Sequence, residues 1–178
     1  NGSGQCSVPA DLGMVTSVSA GGAHTCVLQA DGSCRCFGSN SYGQCDVPLG
    51  IKSCIAIAAG GSHTCAVQDD GTLVCFGSND AGQCDVPSGL GPVKVVAAGA
   101  WHTCALKVDG TVVCFGANGF GQCDVPSSLG HSTAVAAGGG HTCVLETSGR
   151  VVCFGVNSSD QCDVPAEAKR VAELAIAK

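Results

Sequence analysis

Apolar and polar positions alternate along the chain in short runs, broken at regular intervals by Gly, Asn, Asp and Pro. In His63 to Gly77, HTCAVQDDGTLVCFG, two β-rich runs flank Asp69-Asp70-Gly71. A three-residue hairpin loop with Gly71 in the left-handed region fits that spacing. Its register pairs Gln68 with Thr72 and sets Cys65 opposite Cys75. Strand side chains alternate, so His63, Cys65 and Val67 share a face with Leu73 and Cys75, while Thr64, Ala66, Val74 and Phe76 take the other. Both faces are mostly apolar and both need cover, which places the hairpin between neighbours above and below. Upstream, IAIAAGG (Ile55 to Gly61) predicts another short strand ending in glycines. Downstream, GSNDAGQCDVP (Gly77 to Pro87) predicts a loop or short outer strand, ended by a proline that cannot donate to a ladder.

The pattern recurs. His-Thr-Cys begins at His24, His63, His102 and His141, and Cys-Phe-Gly at Cys36, Cys75, Cys114 and Cys153. The cysteine of Gly-Gln-Cys falls at Cys6, Cys45, Cys84 and Cys123, with Cys162 at the same place in Asp160-Gln161-Cys162, and every series steps by 39 residues. Three or four short strands per unit, stacked face to face, predict an all-β chain of β-propeller blades. The expected layout is an N-terminal segment with a partial repeat (1–13), four repeats (14–164) and a tail (165–178). Four blades in a closed ring and an open arc both fit. An arc exposes an apolar blade face and a strand edge, which call for a partner. In the tail, PAEAKRVAELAIAK, Gly and Cys vanish and strong helix formers follow a proline suited to a first turn. Val171, Leu174, Ala175 and Lys178 fall on one helical face, predicting a C-terminal helix that caps the last blade or docks into a partner.

Composition sharpens this picture. Among 178 residues, 45% are hydrophobic but only 4% aromatic, with 27 Gly, 15 Cys, one Met and one Trp. Such a core buries little area per residue and needs further restraint. The net charge is −6 and the eight Lys and Arg are scattered, only Lys169 and Arg170 being adjacent, unlike the basic stripe that nucleic acid requires. No apolar run reaches the 18 or so residues of a membrane span. No initiator Met or signal peptide precedes Asn1, so a processed or excised chain is expected.

Histidine beside cysteine suggests a metal site or a thiol nucleophile. A catalytic constellation is needed once, however, whereas a packing solution is needed in every unit, so four copies of His-Thr-Cys favour architecture. No catalytic residue, metal or cofactor is expected. Facing positions on adjacent strands lie within bridging distance. The expected disulfides are therefore Cys26–Cys36, Cys65–Cys75, Cys104–Cys114 and Cys143–Cys153, the alternative being eight reduced, buried thiols. Each bridge closes a short loop and contributes about 2–3 kcal/mol on the chain-entropy model. This cysteine content favours an oxidising compartment, secreted or luminal, over the cytosol. Seven cysteines remain, five of them at the repeated Gln-Cys position, while Cys34 and Cys54 do not recur; an odd total leaves at least one thiol unpaired within the chain. Asn157-Ser158-Ser159 and Asn1-Gly2-Ser3 match the glycosylation pattern, but Asn157 is also the repeat's own Asn, for which a structural role is expected.

Positions that break the repeat are where a private function can sit. Trp101 stands where other units have Ala23, Ser62 and Gly140. Tyr42 and Phe120 replace Ala81 and Ser159, and Arg35 replaces Val74, Val113 and Val152. Large aromatics and Arg on loops are common interface anchors; with Val171 and Leu174 of the tail, these are the candidate partner-binding residues. Local gap filling is the plainer alternative.

The combination A-G-x-x-H-T-x-A-L, D-G-x-V and F-G-x-N-x-x-G-Q, repeated in register through residues 14–164, resembles the repeat of the regulator-of-chromosome-condensation family. The resemblance implies a β-propeller, commonly seven-bladed in that family, used as an interaction platform; four units depart from that copy number. It also raises guanine-nucleotide exchange, which a short, acidic chain without insertions between units does not favour. The expected function is a non-enzymatic protein-interaction or scaffold module, an accessory subunit of a larger assembly. Alternatives are a secreted or luminal binding or inhibitory propeller and a peripheral subunit of an algal membrane complex such as a photosystem. The expected partners are proteins, not nucleic acid, and any membrane association is peripheral.

Overall fold

A computed structural model describes residues 1–165. Among them, twelve strands form four three-stranded antiparallel sheets. Blade 1 comprises β1 (Val15–Ala20), β2 (His24–Gln29) and β3 (Cys34–Gly38); blade 2 comprises β4 (Cys54–Ala59), β5 (His63–Gln68) and β6 (Leu73–Gly77). Blade 3 comprises β7 (Val93–Ala98), β8 (His102–Lys107) and β9 (Val112–Gly116); blade 4 comprises β10 (Ser132–Ala137), β11 (His141–Glu146) and β12 (Val151–Gly155). In each sheet the middle strand is second in sequence, so both connections within a blade are local.

The hairpin between β5 and β6 follows from Asp-Gly. Gly71 sits at φ +83°, and the Asp70 carboxylate accepts the Thr72 N–H at 2.9 Å. Its register sets Cys65 opposite Cys75 and Val67 opposite Leu73. The Gly71 carbonyl then accepts the Val93 N–H of β7 at 2.9 Å, so the turn of one blade starts the first strand of the next. Every first strand carries a register shift near its start, between Cys54 and Ala56 in β4.

Between blades the apolar faces meet as their alternation demands. Leu28 and Cys34 of blade 1 pack on Cys54, Ile57 and Ala66 of blade 2. Val67 and Leu73 pack on Val93, Val96 and Ala105, and Leu106 and Val112 on Val135 and Val144. Small residues bring the sheets close, and truncating the fully buried Leu106 to Ala would cost about 2–5 kcal/mol.

Beyond β6 the sequence allowed a short outer strand, and the structure has a loop there. Side chains replace the ladder. In the first of these loops Asn40 donates to Asp46 at 2.7 Å while its carbonyl oxygen accepts the Cys45 N–H at 2.8 Å. Asn157 makes the same two bonds, to Asp163 at 2.9 Å and from Cys162 at 2.7 Å, so its amide is engaged structurally. Each loop reaches forward onto the following blade. The Thr64 hydroxyl donates to the Gln44 carbonyl at 2.8 Å, and Thr103 and Thr142 donate likewise to Gln83 and Gln122. The surplus N-terminal motif does this for blade 1, where Thr25 donates to the Gln5 carbonyl at 2.9 Å and Cys6 N–H donates to Asn1 at 2.7 Å.

The blades form an open arc. Val18 on blade 1 is 67% exposed, whereas its counterparts Ile57 and Val96 are 8% and 7% exposed. The expected C-terminal helix, with Val171 and Leu174, lies outside the described residues.

Candidate functional site

The His-Thr-Cys motif is a joint between blades. His24 Nε2 lies 2.9 Å from Thr64 Oγ1 of the next blade, His63 Nε2 2.9 Å from Thr103, and His102 Nε2 3.0 Å from Thr142. Each Thr hydrogen is already donated to a Gln carbonyl, so the hydroxyl oxygen must accept from Nε2–H. That fixes the tautomer and leaves Nδ1 bare, and Nδ1 of His24, His63 and His102 is buried without a partner. Burial, with His102 and His24 nearby, pushes His63 down to about 4; burial lowers His24 and His102 too. The glycine three residues earlier is required by the ring: a β-carbon on Gly60 would overlap His63.

The cysteine of the motif is bonded as well. Disulfides join Cys26–Cys36, Cys65–Cys75, Cys104–Cys114 and Cys143–Cys153, each with Cα atoms 4.1 Å apart across a hairpin. Four of the Gln-Cys thiols donate to loop carbonyls, as Cys45 does to Ser39 at 3.3 Å. Cys34 and Cys54, far apart in sequence, are buried neighbours across the first blade junction, and burial pushes Cys34 up to about 12. Among the described residues no group of three or more His, Cys, Asp and Glu is placed to hold a metal ion, and no helix is long and apolar enough to cross a membrane.

Three aromatic side chains stand out on the loops: Tyr42 is 55%, Trp101 48% and Phe120 66% exposed. Two of these loops are pinned by side-chain bonds. The Tyr42 and Phe120 N–H groups each donate at 2.9 Å to a buried Gln, Gln44 and Gln122. Phe120 reaches over Gly140, its ring 3.4 Å from where a β-carbon there would lie. Gly140 is the repeat position held elsewhere by Trp101, Ser62 and Ala23. The loop aromatic and the residue before the next His therefore meet at one place per junction. In the repeat register the equivalent positions are Tyr42 and Ser62 at the first junction and Ala81 and Trp101 at the second. Each internal junction thus carries one aromatic and one small residue, all along the same rim. The sequence showed three separate exceptions; only the forward reach of the loops makes them a row. Arg35 is not part of it: on β3 its guanidinium lies 3.3 Å from Asp11 of the N-terminal segment, both exposed.

The regulator of chromosome condensation (RCC1) repeat matches residues 15–44, 54–83, 93–122 and 133–161. No curated protein matches the chain. Among solved structures, it is similar to the CRINKLY WD40 ectodomain of the Arabidopsis thaliana receptor kinase ACR4, at 31% identity and TM-score 0.65, covering 80% of this chain and 50% of that one. The ectodomain of the Physcomitrella patens receptor kinase CR4 is 27% identical with TM-score 0.67, covering 79% and 38%. Yeast RCC1 (Prp20), solved bound to Kap60, shares the fold at 20% identity and TM-score 0.73, covering 84% and 46%. The chain spans half or less of the length of each of these structures. Four matched repeats coincide with the four blades, and the chain belongs to the RCC1 repeat family.

Proposed function

We infer that the chain is a non-enzymatic protein-interaction or scaffold module, an accessory part of a larger assembly, which binds a protein partner through its aromatic rim. The observation that carries this reading is the row of Tyr42, Trp101 and Phe120, one exposed ring per blade junction, with the loops of Tyr42 and Phe120 fixed by buried glutamines. Rigid rings lose little entropy on burial, which is why they dominate interface energetics. His24, His63 and His102 and the four facing cysteine pairs, by contrast, are engaged in joints and bridges. Yeast RCC1 was solved with a protein bound, and a rim that breaks the repeat gives this chain a means of choosing its own partner. Four disulfides, and likeness to two receptor ectodomains, support an oxidising compartment, secreted or luminal.

Affinity capture from the native source, comparing the wild type with the triple variant Tyr42→Ala, Trp101→Ala, Phe120→Ala, tests the reading. All three side chains are exposed, so folding should be unchanged while capture of the specific partner falls at least tenfold. Equal capture by both proteins would refute a binding role for the rim.

A further inference from the structure

Each internal junction repeats one set of contacts. A His Nε2–H donates to a Thr hydroxyl of the next blade. At the first two junctions Gly22 N–H donates to the Gly60 carbonyl and Gly61 N–H to Gly99. Leu28, Val67 or Leu106 lies beneath apolar residues of the following blade.

The two ends of the arc carry the unmated halves of that set. On blade 4, Leu145 is 37% exposed, where Leu28, Val67 and Leu106 are 5%, 0% and 0% exposed. His141 is half-buried, whereas the other three repeat histidines are at most 1% exposed. A β-carbon on Gly22 would lie 2.6 Å from the Gly61 carbonyl oxygen of the next blade, while one on Gly139 would meet nothing within 4 Å. On blade 1, Val15 is 41% exposed against 4% and 1% for Cys54 and Val93, and Val18 is 67% exposed. Thr25 donates its hydrogen to Gln5 as its counterparts do, but no histidine among the described residues donates to it. Among the described residues, one end lacks an acceptor for its imidazole N–H and the other lacks a donor for its hydroxyl oxygen.

We propose that a second copy of this chain docks head to tail on the first, blade 4 of each against blade 1 of the other. His141 donates to Thr25 of the other copy, and Leu145 packs over its Val15 and Val18. The faces are unlike, so neither pairs with itself. Two equivalent junctions related by a twofold axis close the pair and leave no open end. Eight blades in the ring fall within the usual propeller range of roughly four to eight.

Light scattering coupled to gel filtration, run on the full chain through a dilution series, tests this. The expected mass is twice 17.4 kDa. Leu145→Arg and Val18→Arg, each at an already exposed position, should separately return the mass to 17.4 kDa with an unchanged circular dichroism spectrum. Trp101→Ala should keep the doubled mass, which separates this interface from the aromatic rim. A wild type of 17.4 kDa at every concentration overturns the proposal. A dimer that survives either arginine overturns it too, because that means like faces pair. A ladder of larger masses excludes closure.

Discussion

His63 is fully buried with a bare Nδ1, and this decides how the fold meets acid. Protonation places a charge where nothing accepts it, so burial holds the folded-state value down to about 4, against 6.5 when unfolded. The neutral ring therefore contributes its full stability above pH 6.5, and that contribution is lost as pH falls towards 4. For His63 alone the difference is about 3 kcal/mol, and His24 and His102 act in the same direction. Asp70, held down to about 2 by Thr72 and Lys52, stays ionised through this window, while Glu146, held low chiefly by the Gly130 N–H, adds to the loss only as pH nears 4.5. Urea midpoints at pH 7 and pH 4.5 should differ clearly; a flat profile would mean that the junction histidines tolerate charge. A second residue-scale effect lies at Asp160, the only residue besides glycine with positive φ among those described, at +58° where the other loops have Gly43, Gly82 and Gly121. Asp160→Gly relieves that backbone and should raise stability by about 1 kcal/mol in the same urea titration. That the histidines are structural was legible from their fourfold recurrence. Their bond to a threonine one blade ahead was not, because period alone does not say which unit answers which.

At the scale of the hairpin the sequence was most informative. Strict alternation and Asp-Gly specified the facing of Cys65 and Cys75, and that facing places the bridge. Denaturing alkylation followed by mass spectrometry should tag seven thiols before reduction and all fifteen after it. Each lost bridge should then cost about 3 kcal/mol, read as a lower melting temperature in reductant. Fifteen tags without reduction would mean that the sheets hold without bridges. Less was legible beyond the third strand. A loop built from Asn, Gln and Asp side-chain bonds looks in sequence much like a short polar strand, since both end at the same proline. The register shift at the start of each first strand also has no signature, because one displaced residue leaves the apolar pattern nearly intact. The aromatic row had the same cause of concealment: Phe120 and Gly140 are neighbours only because the loop crosses to the next blade.

Across the whole molecule, stacked repeats make stability a sum of blade terms and junction terms, so a blade with two neighbours outlasts one with a single neighbour. The number of blades was legible from the repeat count, but ring and arc stayed open, since every copy of the repeat reads alike whether or not it is covered. Exposure separates them: β5 is buried along its whole length, whereas β1 and most of β10 are open to solvent or only half-buried. In the Leu145→Arg chain, whose ends should stay apart, amide exchange in β1 and β12 should be faster than in β5 and β8. In the wild type at high concentration that gradient should flatten, because the end blades gain the neighbour that the inner ones already have. Uniform exchange in the Leu145→Arg chain would mean that the four blades open as one block and that junction terms dominate. A gradient unchanged by concentration in the wild type would mean that the end faces stay bare, and that the His141 and Thr25 ends do not recognise each other.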